Sequence, residues 1–135
     1  MRLLELFSGT HSIGKVAEPR GYEVISLDRD MKATIKADIM KWDYTIYEPG
    51  YFDIVTASPV CLYWSKLRAC HYGSEIKSHP GKIFNKELAQ QDIDMYGKPM
   101  VDKVREIIDY FKPKYWWIEN PQTGRMKDYI TDLPY

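Results

Sequence analysis

Apolar residues along the chain fall into short runs separated by polar, glycine- and proline-containing breaks, and these runs set the pattern of elements. RLLELFSG opens as a short strand ending in a glycine turn. HSIGKVAEP after it has helical spacing until Pro19 and Gly21 stop it. YEVISLD reads as a second strand finishing on an acid, ATIKADI as a short third and YFDIVTASP as a fourth. Residues 66–86 are polar, basic and dotted with Gly and Pro, the pattern of a mobile loop. A helix then opens at Pro99, with Val101, Val104, Ile107, Ile108 and Phe111 on one face and Pro113 just beyond its end. KYWWIENP is a fifth strand, apolar enough to be buried on both faces. Strands alternating with helices predict an α/β fold built on a mostly parallel, doubly wound sheet. The reading is a single domain over residues 1–135, without an internal repeat.

In that architecture ligands gather at the carboxyl ends of the strands. The polar groups of this chain fall at those ends: Ser8 and Gly9 after the first strand, Asp28 after the second, Asp38 after the third, Cys61 after the fourth, Glu119 and Asn120 at the fifth. The turn LFSGTHSIG lacks both the three-glycine dinucleotide spacing and the lysine of a P-loop, so a nicotinamide dehydrogenase is disfavoured. Asp28 is placed to accept hydrogen bonds from two ribose hydroxyls, and it is equally placed to cap a turn beside Arg29 and Asp30. Cys61, in ASPVCLYWS, lies just past the apolar run of its strand. A free cysteine is ordinarily a buried one, so a core thiol competes with a reactive thiol at this position.

Composition narrows the classes. At 135 residues the chain fits one domain with a core of its own. Two cysteines and three histidines at these spacings form neither a disulfide framework nor a zinc signature, so no metal is expected. No apolar run approaches the ~20 residues of a membrane span, and MRLLELFSG is too short and too acidic for a signal peptide. The expectation is a protein of the cytoplasm, or of the nucleus or nucleoid, rather than a secreted one. The 19 basic and 19 acidic residues cancel, which excludes a free-standing polycation for nucleic acid. Within residues 66–86, however, Lys66, Arg68, Lys77, Lys82 and Lys86 face a lone Glu75. A solvated loop and a set of phosphate contacts both explain that stretch.

LELFSGTHSIG, SLD, ADI, ASPVC and WWIENP, in this order and spacing, resemble the N-terminal half of the cytosine-5 DNA methyltransferases, closest to viral or phage-like members with Glu-Asn-Pro in place of Glu-Asn-Val. The resemblance runs through nearly the whole chain. It implies a Rossmann-like methyltransferase fold, truncated after about five strands, with S-adenosyl-L-methionine (SAM) as cofactor and a flipped cytosine in DNA as substrate. By the resemblance Phe7, Ser8, Gly9 and Thr10 match the loop for the methionine part of the cofactor. Asp28 matches the ribose acid, and Asp38 with Ile39 the pair at the adenine. Pro59 belongs to the motif that carries the nucleophile. Cys61 matches that nucleophile, and Glu119 with Asn120 the acid motif.

The chemistry suits these residue types. Carbon 5 of cytosine is too weak a nucleophile to take a methyl group unaided, so a thiolate must first add to carbon 6. Glu119, sharing a proton with ring nitrogen 3, would draw off electron density; such a role favours a buried carboxyl group, for which YWWIENP offers apolar neighbours. The base must leave the duplex, and Trp64 or Tyr63 is a candidate to line its pocket. Two departures stand out. Val60 separates Pro59 from Cys61, where the family places proline directly before the nucleophile. The chain also stops soon after its fifth strand, so an open sheet edge, an uncovered apolar face and a second polypeptide with the missing strands and recognition domain are expected. The alternative reading is a catalytically inactive module that binds SAM, DNA or a partner. An adenine methyltransferase is disfavoured, because SPVC stands where such enzymes carry an Asp/Asn-Pro-Pro-aromatic motif.

Overall fold

A computed structural model describes residues 1–133, which form two compact units: residues 1–59 with 100–119, and residues 60–99 with those from 120 onward. The first unit is a five-stranded sheet of β1 (Arg2–Leu6), β2 (Glu23–Asp28), β3 (Ile35–Lys36), β4 (Ile54–Ala57) and β5 (Tyr115–Ile118), in the order β3-β2-β1-β4-β5. Every pairing is parallel, with Leu3 opposite Val24 and Ile54, and Val55 opposite Trp116. The α/β class expected from the alternating pattern is therefore observed, with a wholly parallel sheet.

Strand alternation divides the side chains between two faces. Leu4, Leu6, Leu27, Val55 and Ala57 form one core with Val104, Ile107, Ile108 and Phe111 of a helix, and Phe52 meets Phe111 edge-on at 4.9 Å. The helix stops because Lys112 turns left-handed at φ 47° and Pro113 cannot continue it. The opposite face carries a smaller cluster, Leu3, Ala17 and Ile54, beneath the single turn of α1 (Gly14–Ala17). The helical reading of HSIGKVAEP thus shrinks to one α turn followed by a 3-10 turn, Glu18–Arg20, closed by left-handed Gly21.

The second unit contains 3-10 turns at Cys61–Tyr63 and Lys66–His71, then α2 (Lys86–Asp92). Asn85 caps α2 by accepting the Leu88 N–H at 2.9 Å, and a π turn, Ile93–Gly97, leads into α3 (Lys98–Phe111), the helix of the main core. The loop expected over 66–86 carries this turn structure and an isolated antiparallel bridge between Glu75 and Ile83. Arg68 also departs from the solvated reading, being buried against Asp92.

β5 corrects a further expectation. It is not buried on both faces: Tyr115, Trp116 and Trp117 are exposed, because the strand pairs with β4 alone and forms an edge of the sheet. The open edge and poorly covered apolar surface inferred from the sequence are present among the described residues. No helix among those residues is long and apolar enough to cross a membrane.

Candidate active site

The turn after β1 is tightly organised. Phe7, Gly9 and His11 all adopt left-handed backbone angles, at φ 58°, 51° and 61°. Glycine takes such an angle freely, but Phe7 and His11 are strained there, a kind of strain concentrated at functional sites. Internal bonds hold the turn: the Ser8 N–H donates to the Leu27 carbonyl at 3.1 Å and the His11 N–H to the Ser8 carbonyl at 2.7 Å. Beneath it the buried carboxylate of Glu5 accepts the N–H groups of Ile13 and Gly14, at 3.0 and 3.2 Å, and lies 2.7 Å from Nδ1 of His11. Glu5 is therefore a structural anchor that the sequence reading missed; its only visible signal was an acid inside an apolar run.

Asp28 joins this turn to the next. Its Oδ2 accepts the Gly9 N–H at 2.8 Å, while Oδ1 accepts those of Asp30 at 2.9 Å and Met31 at 2.8 Å. Partial burial raises the pKa of this carboxyl group. The bonds from Met31, Gly9 and Asp30, with the nearby Arg29 charge, outweigh it and hold Asp28 below the usual carboxylate range. The capping role weighed for Asp28 is thus present. A carboxylate has about four acceptor positions, so three bonds leave one on Oδ2 for a further donor.

The remaining cofactor candidates are unevenly placed. Ser8 is buried, and its hydroxyl has no hydrogen-bond partner, which leaves a polar group for a ligand to satisfy. Gly9 and Thr10 line a hollow of about 660 Å³ together with Ser26, Met31 and Thr34. Asp38 follows Ala37, whose N–H donates to the Asp28 carbonyl at 3.1 Å, and its own Oδ1 accepts the Met40 N–H at 2.9 Å. Phe7 packs against the core of the first unit, in which Ile39 is buried. Pro59 is buried two residues past β4.

Cys61 opens the 3-10 turn of the second unit with its thiol exposed, so the core-thiol reading does not hold. Cys70 is exposed as well. The Cys61 carbonyl accepts the N–H groups of Trp64 and Ser65, at 3.0 and 2.9 Å. Trp64 does not line an open pocket as expected. It is buried and stacked on Tyr129 at 5.8 Å, and Gly97 lies so near that an added Cβ would stand 3.1 Å from the indole. Trp64 instead anchors the turn that presents Cys61. Tyr63 is partly exposed and stacks on Tyr96 at 5.5 Å. Val60 adopts φ −50° and ψ 111°, within the range that proline would impose, so the departure at this position leaves the backbone in the proline geometry.

In the first unit the Glu119 N–H donates to the Ala57 carbonyl at 2.8 Å, extending the β4–β5 ladder by one bond. Its side chain is exposed rather than buried, a correction with the same cause as for β5: an edge strand has a neighbour on one side only. Asn120, in the second unit, is partly buried.

No protein-family profile matches the chain. A curated relative does: over 137 aligned positions the chain is 41% identical to a probable DNA (cytosine-5)-methyltransferase of Frog virus 3 (isolate Goorha), with all of this chain covered. The resemblance to the cytosine-5 methyltransferases holds along the whole chain. The chain spans 60% of that relative's length.

Proposed function

We propose that the chain is the cofactor- and nucleophile-bearing part of a SAM-dependent DNA (cytosine-5)-methyltransferase. The observation that carries this reading is the exposed thiol of Cys61, held four residues past the end of β4 on a turn anchored by a buried tryptophan, in a chain whose viral relative is named a probable DNA (cytosine-5)-methyltransferase. The free hydroxyl of Ser8 and the spare acceptor position on Asp28 fit the proposed cofactor.

SAM, when bound, supplies the methyl group. Ser8, Gly9 and Thr10 hold its amino-acid part and Asp28 takes one ribose hydroxyl, with Phe7, Asp38, Ile39 and Pro59 shaping the walls. The Cys61 thiolate forms a bond to carbon 6 of the flipped cytosine, and the electron pair of the 5,6 double bond moves onto carbon 5. Glu119 shares a proton with ring nitrogen 3 as that charge develops, and Asn120 completes the acid motif. That electron pair on carbon 5 forms the bond to the methyl group, and loss of the proton from carbon 5 and of the thiolate from carbon 6 then restores the aromatic ring. The exposed outer edge and aromatic rings of β5 support a further strand-bearing segment or polypeptide covering this side of the sheet.

Thiolate addition alone makes carbon 5 exchange its hydrogen with water, so the nucleophile can be tested without the cofactor. A single-stranded oligonucleotide bearing tritium at carbon 5 of cytosine is expected to release tritium to water with the chain and with Cys70→Ser, and not with Cys61→Ser. Equal release by the Cys61→Ser chain would overturn the proposal. A second reading, a catalytically silent module that binds SAM or DNA, is favoured by the exposure of Glu119. It predicts no exchange by any of the three chains.

A further inference from the structure

The turn that carries the cofactor candidates ends on a histidine that the methyl-transfer chemistry leaves unused. His11 takes a left-handed backbone angle, φ 61°, and its ring lies between two carboxylates from different elements. Nδ1 is 2.7 Å from Oε2 of Glu5 in β1, and Nε2 is 3.1 Å from Oε1 of Glu18 in the 3-10 turn after α1. Glu5 is 3% exposed and holds the Ile13 N–H on one oxygen and the Gly14 N–H on the other, so it cannot swing away from the ring. With both oxygens so occupied, the Nδ1 contact is an ion pair rather than a directed hydrogen bond, and the buried Nδ1 has no hydrogen-bond partner. Gly14 makes room for this arrangement, since an added Cβ would collide with the imidazole.

A carboxylate only accepts, so a ring whose two nitrogens each face one needs a proton on both. A neutral imidazole has one N–H and would turn a lone pair on the other carboxylate. Histidine is the side chain that makes this change between pH 5 and 8. Lys15 of α1 and Lys32 after β2 line the same hollow as His11, but both are exposed and screened by water, whereas the two carboxylates are in contact with the ring. Asp28 reaches the turn through the Gly9 N–H, and its lowered pKa keeps it ionised throughout this range. His11 is also the joint between turn and helix: its N–H donates to the Ser8 carbonyl at 2.7 Å, and its carbonyl accepts the Lys15 N–H at 3.0 Å. Expelling the ring would release the strained φ and, with it, the bond that closes the turn over Ser8, Gly9 and Thr10.

We propose that His11 is a positioning residue for the cofactor: as an imidazolium clamped between Glu5 and Glu18 it holds the turn of residues 7–11 in its binding conformation, and SAM affinity falls as the ring loses its proton. The inference rests on the SAM reading of this turn. The clamp exists only with the ring charged, so its contribution is present in acid and lost as pH rises.

SAM binding is measured by calorimetry with the full chain from about pH 6 to about pH 8.5, a span that covers the loss of an imidazole proton. His11→Asn removes the charge with a residue that tolerates the left-handed angle. Glu18→Gln weakens the clamp from its exposed side, and His71→Gln, exposed in the other unit, is the control. The α-amino group of SAM itself titrates near ~7.7–8.0, so each variant is compared with the parent at the same pH. The parent is expected to bind about tenfold more tightly than His11→Asn at the acid end and within about twofold of it at the alkaline end. Glu18→Gln should lie between the two, and His71→Gln should follow the parent. Melting temperatures without SAM supply a second readout, with the gap between parent and His11→Asn widest in acid and closed at the alkaline end.

An affinity ratio that does not change with pH, or a His11→Asn chain that binds as the parent does in acid, overturns the proposal. A pH-dependent melting gap in a chain that binds no SAM at any pH would keep the clamp and refute the cofactor reading. A flat gap without binding would refute both.

Discussion

Asp28→Asn tests the junction of fold and cofactor site with a change that alters hardly any volume. In the native turn the carboxylate accepts three N–H groups, from Gly9, Asp30 and Met31, at 2.8, 2.9 and 2.8 Å. An asparagine oxygen in the Oδ1 position keeps the two bonds from Asp30 and Met31 as neutral ones, but its amide then turns an N–H toward the N–H of Gly9. A bond to a charged acceptor contributes about 1.5–3 kcal/mol and a neutral one about 0.5–1.5. The lost Gly9 bond and the two weakened ones together exceed 2 kcal/mol on paper, but partial exposure lets water replace some of the loss. The expected cost is about 2 kcal/mol, or about 6–10 °C in Tm for a chain of this size. The pH dependence follows from the lowered pKa of Asp28. A depressed folded-state value means that its contribution is present above the unfolded value of about 3.9 and is lost as pH falls through the folded one. The melting difference between parent and variant should therefore be full at neutral pH and shrink in acid. Calorimetric titration supplies the second readout: SAM affinity should fall by about tenfold or more, since the remaining acceptor position disappears. An unchanged Tm would refute the account of the turn, and a lowered Tm with unchanged SAM affinity would refute the ribose assignment.

Val60→Pro should be neutral or stabilise by about 0.4–1 kcal/mol, because residue 60 already has a proline-compatible φ and a proline restricts the unfolded chain; a loss of more than that in a thermal melt would contradict the backbone geometry. Trp64→Ala should cost about 3–5 kcal/mol in chemical denaturation, since it empties a buried indole site against Gly97 and Tyr129, and it should raise the alkylation rate of Cys61 more than that of Cys70 as the turn loosens. Phe111→Ala should cost a similar amount by removing the edge-on contact with Phe52, with no change in the relative alkylation rates of the two cysteines.

What the sequence made legible was local. The strands appear as apolar runs, and the face of α3 follows from the spacing of Val101, Val104, Ile107, Ile108 and Phe111. The turn 7–10 and Asp28 are found together because short motifs at strand ends are readable without knowledge of the pairing. What failed was non-local. The exposure of Tyr115, Trp116, Trp117 and Glu119 depends on whether a strand pairs beyond β5, and no periodicity within KYWWIENP carries that information. Arg68 looked like one more solvated cation because its partner Asp92 lies 24 positions away on a helix that the reading left out. That helix had a visible start, since Asn85 precedes the helix-forming run KELAQQ. The angle of Val60 had no signal at all, because valine does not dictate φ as proline does.

The most direct test of the central claim is covalent capture. In DNA containing 5-fluorocytosine, carbon 5 has no proton to lose once methylated, so a thiolate bonded to carbon 6 cannot leave. The chain is incubated with such a single strand and SAM, denatured and digested, and the peptide carrying the nucleotide is identified by mass spectrometry. The account predicts the adduct on the peptide containing Cys61, with its formation dependent on SAM and undiminished in Cys70→Ser. An adduct on Cys70, or no adduct under conditions where both SAM and the strand are bound, would contradict it.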